Sequence, residues 1–345
     1  MKALELVAPS TFEFGDRPDP VPGPDEVLIA VKATGICGSD IHGMDGSSGR
    51  RQMPIIMGHE TSGEIVAVGA DVDGDQWKVS DRVTPDSTVY CGKCEYCERG
   101  EINLCDDRQV LGVSPGTYRR HGAFADYLAV PARILYRIPE GLSYEHAAMT
   151  EPLAVALHAV GRVTIKPTDT AVVVGAGMIG LLCIQALRVA GCREIIAVDL
   201  ADDKLALAQT LGATAGLNPQ TCDVVAEVRA RTGGQGADVS LEVVGIQPTL
   251  HTAIGVLRRG GSCVLVGNLQ PRAEVPYQDL VTKELTLYGT CSCAGEYDRA
   301  LELLASGEVQ VSPFISAVVP LAEGEAWFHR LHAGENGLFK VILQP

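Results

Sequence analysis

The residues able to do metal chemistry in this chain are clustered. Cys91, Cys94, Cys97 and Cys105 form a C-x2-C-x2-C-x7-C run within one short segment. Close-spaced thiolates suit tetrahedral Zn2+, and four of them leave no open position for a substrate, so a structural zinc is expected there. Bacterial iron–sulfur runs open with the same C-x2-C-x2-C, but they continue x3-C-P, and here seven residues precede the next cysteine. The chain has eleven cysteines, an odd number in a chain too long to need disulfide staples. Reduced thiols, some of them on metal, fit that usage better than a secreted scaffold.

A second signal is Val172-Val173-Val174-Gly175-Ala176-Gly177-Met178-Ile179-Gly180, a G-x-G-x-x-G between a predicted strand and a predicted helix. In that setting Gly175 serves the tight turn, Gly177 the approach to a pyrophosphate, and Gly180 the packing of helix on strand. The phosphates then meet free N–H groups at a helix N-terminus. Alone, the pattern is also compatible with a glycine turn in a core. Asp199 decides between them: it closes the predicted strand 195–198 at the offset expected for a carboxylate on the ribose 2′-hydroxyl. It would repel a 2′-phosphate, Asp202 and Asp203 add negative charge, and no arginine intervenes before Lys204, so NAD is expected rather than NADP. Met178, Ile179 and Lys204 complete the expected cofactor-binding set.

Four further residues suggest a second metal site: Cys37, followed at short range by Ser39 and His42; His59 with Glu60; and Glu151, ahead of Pro152. Taken singly each has an ordinary reading, such as a core thiol, a surface pair or a helix start. Their joint occurrence beside a dinucleotide site argues for a catalytic zinc.

These residues need elements to hold them. Short β-like runs at 27–31, 62–68, 81–83 and 124–130, separated by Gly and Pro, predict a β-rich first part. From residue 171 strands alternate with helices: strands at 172–174, 195–198, 239–242, 263–266 and 285–288, and helices at 178–190, 204–211, 224–231 and 249–257. Such alternation predicts a parallel sheet with helices on both faces. A helix at 297–305 and β-like segments such as 338–343 end the chain. Hydrophobic residues make up 46% and charged ones 21%, enough for a large core and too apolar for disorder. The formal charge of −15 argues against nucleic-acid or anionic-membrane partners. The uncharged stretch 171–187 is short for a membrane span and interrupted by glycines. Met1-Lys2-Ala3-Leu4-Glu5 has no apolar leader pattern, so a cytoplasmic protein is expected.

In order, Gly-Ile-Cys-Gly-Ser-Asp-x-His at 35–42, Gly-His-Glu at 58–60, the four-Cys run, Glu-Pro-Leu at 151–153 and Gly-Ala-Gly-x-Ile-Gly at 175–180 resemble the zinc-dependent medium-chain dehydrogenase/reductase family, in particular its sorbitol (polyol) dehydrogenase branch. The resemblance covers essentially the whole chain. It implies an α/β fold: a β-rich GroES-like catalytic domain from 1–152 and 289–345, with an inserted doubly wound Rossmann domain at 153–288. It implies catalytic and structural zinc, NAD, and hydride transfer to or from a secondary alcohol or polyol.

The resemblance makes Cys37 and His59 direct zinc ligands, with Glu60 and Glu151 competing for the third position. Zinc with one thiolate, one imidazole and one carboxylate is neutral; a second carboxylate makes it negative, so one full carboxylate ligand is expected in the reactive state. Ser39 is placed to accept the hydroxyl proton, and the resemblance gives His42 the role of passing it outward. A carboxylate at Glu151, where liver-type enzymes carry a third cysteine, points to the polyol branch. The sorbitol-type arginine is missing, since Gly289-Thr290-Cys291-Ser292-Cys293 stands in its place. Sugar-phosphate, threonine or butanediol dehydrogenase activity is therefore the alternative. A zinc-free quinone reductase would lack Cys37, His59 and the four-Cys run, and a non-enzymatic NAD-binding protein would show a damaged reactive set.

Arg50-Arg51 and Arg119-Arg120 are read as solvated loop pairs, with a substrate anion as the alternative. His121, His146, His158, His251, His329 and His332 are read as structural or surface groups. A homodimer or homotetramer through the segment 285–288 is the family expectation.

Overall fold

The computed structural model describes residues 1–113 and 120–345, in two compact units: Met1–Glu151 with Tyr297–Pro345, and Pro152–Glu296. In the first unit the strand Glu26–Gly35 is the hub of a seven-stranded sheet. It pairs antiparallel with Glu60–Val68, Tyr127–Pro131 and Lys340–Gln344. Val27, Ile29 and Val31 alternate inward and pack with Ile65, Val83 and Leu128, the period-2 pattern of a half-buried strand. A second core forms around Leu4, Leu6, Phe12, Met57, Phe124 and Phe328. It covers a three-stranded sheet of Thr11–Asp16, Lys2–Ala8 and Ile55–Ile56, of which the sequence reading anticipated none.

The second unit is a six-stranded parallel sheet. Its order is Ala215–Leu217, Glu194–Val198, Thr170–Val174, Ala237–Glu242, Leu257–Leu265, Thr286–Gly289. Numbered along the chain this is 3-2-1-4-5-6, the doubly wound order of dinucleotide-binding domains. Thr170–Val174 is buried at every position, which is why it reads as a continuous apolar run. The stretch 171–187 is this strand, a turn and most of the helix Met178–Val189. Among the described residues no helix is long and apolar enough to cross a membrane.

In the second unit one helix–strand boundary differs from expectation. The helix predicted to 257 is Gln247–Gly255, and the strand predicted from 263 already begins at Leu257. Arg258-Arg259-Gly260-Gly261 breaks the apolar alternation across its first half, and the pairing register shifts between Ala237 and Val239. The helices Tyr277–Thr282 and Gly324–His332 and the strand Ile315–Pro320 carried no sequence signal strong enough to be anticipated.

Candidate active site

Three structural neighbours in the first unit bring the reactive residues together. The strand Glu26–Gly35 ends two residues before Cys37, which caps the short helix Gly38–Ile41. Glu60 opens the strand Glu60–Val68 and pairs in register with Gly35. At Gly35 a Cβ would collide with Glu60 Oε2 and lie 3.3 Å from Lys340 Cδ, so glycine there lets the Glu60 side chain fold across toward Lys340. The ligand atoms of Cys37, His59 and Glu60 all lie within 4.8 Å of one another.

Around this trio sits a buried shell of charge. Lys340 Nζ bonds Glu60 Oε2 and donates to the Ile36 carbonyl at 2.8 Å. Arg51 Nη2 pairs with Asp40 Oδ1 at 2.9 Å, both side chains almost wholly buried. Asp40 Oδ1 also lies 3.6 Å from His59 Nδ1, beyond hydrogen-bond reach. His59 Nδ1 and Glu60 Oε1 are buried without a hydrogen-bond partner. Burial works against a charged His59, yet the anions of Asp40 and Cys37 outweigh it and hold the imidazole protonated up to about 10. Written as ionised, Cys37, Asp40, Glu60 and Glu151 carry four negative charges; Arg51, Lys340 and a protonated His59 carry three positive ones, and only two remain once the His59 ring gives up its proton to bind a metal. A divalent cation among donors of thiolate, imidazole and carboxylate type fits that deficit.

Glu151 lies outside the trio that meets within 4.8 Å, but it belongs to the same electrostatic cluster. Burial pushes its carboxyl up to about 7, His59 pulls it down and Glu60 adds to the rise. Ser87 Oγ donates to Glu151 Oε1 at 3.1 Å, and the Ser87 N–H donates to the Tyr297 hydroxyl at 3.2 Å. Ser39 is exposed, with Oγ 3.5 Å from His59 Nε2. His42 is exposed as well, and no hydrogen bond links its ring to Ser39 among the described residues.

The Sγ atoms of Cys91, Cys94, Cys97 and Cys105 also lie within 4.8 Å of one another, with no disulfide among them. Their loop aims backbone N–H groups at sulfur: Cys91 N donates to Cys105 Sγ at 3.3 Å and Lys93 N to Cys91 Sγ at 3.4 Å. Backbone N–H groups of Asp106 and Cys97 lower the Cys94 thiol to about 6, the thiolate form that binds metal.

In the second unit Gly175 takes φ +105, where a Cβ would strike Val244 Cγ2 at 2.6 Å. Only glycine makes this turn without strain. Gly177 starts the helix Met178–Val189 without a side-chain cap, leaving the first-turn N–H groups of Met178, Ile179 and Gly180 to an external acceptor. Asp199 accepts from Ala176 N at 2.8 Å and from Ala201 N at 3.0 Å, which pins it beside the glycine turn. Lys204 lies in the following helix, Asp202–Thr210.

Within the arginine pairs, Arg50 is exposed as expected, but Arg51 and Arg120 are not solvated. Arg51 is buried on Asp40, and Arg120 pairs with Glu26 at 2.6 Å and with Gln109 at 3.2 Å; Arg119 lies outside the described residues. Arg51 is drawn in because Asp40, buried in the helix Gly38–Ile41, needs a counter-charge. His121, His146, His158 and His251 make hydrogen bonds to Ile56, Ser312, Glu296 and Gln247. Lys340, Arg51 with Asp40, and Ser87 escaped the sequence reading. Only Lys340 had a visible signal: a lone lysine heading the apolar run Val341-Ile342-Leu343.

Known proteins resemble this chain along its whole length. Residues 23–140 match the alcohol dehydrogenase GroES-like domain, and residues 179–306 match the zinc-binding dehydrogenase domain. The chain is 36% identical to sorbitol dehydrogenase of Bacillus subtilis over 350 aligned positions, covering 100% of this chain and 97% of that one. It is 38% identical to a probable D-xylulose reductase A of Aspergillus clavatus, covering 94% of this chain and 91% of the relative. The crystal structure of 2R,3R-butanediol dehydrogenase from Bacillus subtilis superposes with a TM-score of 0.90 at 33% identity, covering 100% and 99% of the two chains.

Proposed function

The chain belongs to the zinc-dependent medium-chain dehydrogenase/reductase family, on its polyol dehydrogenase branch, and from that premise we propose that it oxidises a secondary alcohol or polyol with NAD. The observation that carries this reading is the convergence of the Cys37, His59 and Glu60 ligand atoms within 4.8 Å of one another, with buried Glu151 in the same electrostatic cluster. When bound, zinc supplies the Lewis acidity that eases loss of the alcohol proton, and NAD supplies the hydride acceptor.

Cys37 and His59 hold the metal, with Glu60 as the third protein ligand and Glu151 able to join. Lys340 places a positive charge beside these ligands. With its positive charge included, both carboxylates can be ionised around a dication without making the cluster negative. Ser39 accepts the hydroxyl proton from its position beside His59, and His42 passes it outward. Cys91, Cys94, Cys97 and Cys105 hold a second zinc that braces a loop with little core of its own. Gly175, Gly177, Met178, Ile179 and Gly180 receive the pyrophosphate. Asp199, held by Ala176 and Ala201, receives the ribose hydroxyls and disfavours a 2′-phosphate, with Lys204 on the following helix.

Two measurements test the reading. Metal analysis is expected to find about two zinc ions per chain; one or none sinks the catalytic assignment. A panel of polyols, vicinal diols, threonine and sugar phosphates, run with NAD and NADP, is expected to give kcat/KM at least about tenfold higher with NAD. Higher values with NADP overturn the role of Asp199. Ser292 in the arginine's place predicts that sorbitol is not the best substrate in the panel. The assembly we propose is a homodimer or homotetramer joined through the sheet-edge strand Thr286–Gly289, in a cytoplasmic enzyme. A monomer in light scattering removes that assignment.

A further inference from the structure

The glycine turn and Asp199 lie at the C-terminal ends of their strands. At the other end of the same sheet Thr170–Val174, Glu194–Val198 and Ala237–Glu242 begin side by side. Their starts, together with the loop that follows the helix Val224–Arg231, frame a pocket of about 400 Å³ lined by Arg193, Arg231 and Arg258. Three guanidinium groups facing one pocket are unexpected in a chain of formal charge −15.

The pocket's own carboxylate cancels only one of them. Asp238 is the one acidic side chain in the lining, and both its oxygens are occupied. Oδ1 accepts from Arg258 Nε at 2.7 Å, and Oδ2 accepts from Thr170 N at 2.8 Å. Arg231 forms a loose ion pair with Glu194 Oε1 at 3.7 Å, too long for a hydrogen bond, so its donors stay open although its charge is partly balanced. Arg193 forms no ion pair among the described residues; its Nη2 donates only to Thr170 Oγ1, at 3.4 Å. Two guanidinium groups therefore retain most of their donors. Thr168 and Gln235 add neutral polar groups on the same wall.

Convergent arginines with open donor edges match the oxygens of a tetrahedral dianion, which accepts bidentate bonds from each. The space also exceeds what such an ion fills. We infer that this pocket binds a phosphate group, free or carried by a sugar-sized molecule, with Arg193 and Arg231 as its main contacts. It is separate from the pyrophosphate position by the length of five-residue strands, about 16 Å at roughly 3.3 Å per residue.

The test uses the zinc-loaded protein with NAD at saturation, so that the dinucleotide position is filled. Inorganic phosphate and a hexose phosphate are titrated calorimetrically at constant ionic strength, with chloride as the balancing anion. Saturable binding is expected, and Arg193→Gln combined with Arg231→Gln is expected to weaken it at least about tenfold. Both side chains are exposed, so the variant should fold, and unchanged NAD affinity and zinc content verify it. Tighter binding of the hexose phosphate identifies a carried phosphate; tighter binding of inorganic phosphate identifies the free ion. No saturable binding of either, or equal binding by the double variant, overturns the inference.

Discussion

The two cysteine-containing clusters of the first unit hold their donors by different means. Cys91, Cys94, Cys97 and Cys105 come from one loop whose own backbone N–H groups point at the sulfurs. Cys37, His59, Glu60, Glu151 and Lys340 come from segments spread over almost the whole unit and rest on buried ion pairs. The loop needs little beyond its spacing to make a tetrahedral thiolate cage, and four thiolates suit a closed structural site. The buried cluster has mixed donors, an uncompensated charge and an adjacent exposed hydroxyl at Ser39. Those are properties a reactive site requires and a brace does not. A metal at the first site would rest on local chemistry; one at the second would be tied to the packing of the domain.

The largest expected effect separates the two. Cys37→Ser should lower turnover at least about a thousandfold, since a Lewis acid contributes several kcal/mol to the transition state. It should remove about one zinc per chain and leave NAD affinity intact. Cys94→Ser should remove about one zinc as well, with its main effect on thermal stability rather than on chemistry. If both variants lose activity and stability in the same proportion, the clusters do not differ as described.

Lys340→Met comes next. It leaves Glu60 buried without its cation, and breaking such a pair costs about 3–5 kcal/mol. The double variant Lys340→Met with Glu60→Gln should recover much of that loss in urea unfolding. A single-variant cost under about 1 kcal/mol would show that the pair is not held as the geometry has it.

The smallest effect is in the protons. His59, held protonated up to about 10 by its anionic neighbours, must give up its proton for the ring to bind metal. Zinc affinity of the buried site should therefore rise with pH until about 10. Calorimetry in two buffers of different ionisation enthalpy, on protein whose loop site is already loaded, should detect proton release. A pH-independent affinity sets this account aside.

Where the chemistry is encoded by short-range spacing, the sequence alone determined it. The four-Cys run, the glycine turn with Asp199, and the strand–helix alternation of the second unit all arise from contacts within about thirty residues or from the periodicity of buried strands. The elements that escaped were those without a local period. Lys2–Ala8 pairs with a neighbour, but Leu4 and Leu6 are buried in a core assembled from distant residues that include Phe124 and Phe328. The strand Leu257–Leu265 opens on two arginines and two glycines. Tertiary structure alone decided how charge is distributed around Cys37 and His59. Arg51 reads as a solvated loop residue until Asp40 is seen to be fully buried, and Lys340 lies 280 residues from the carboxylate it holds. The physical reason is the dielectric. A charge in a sequence has no sign of its surroundings, and only burial makes an unpaired one costly enough to fix its partner.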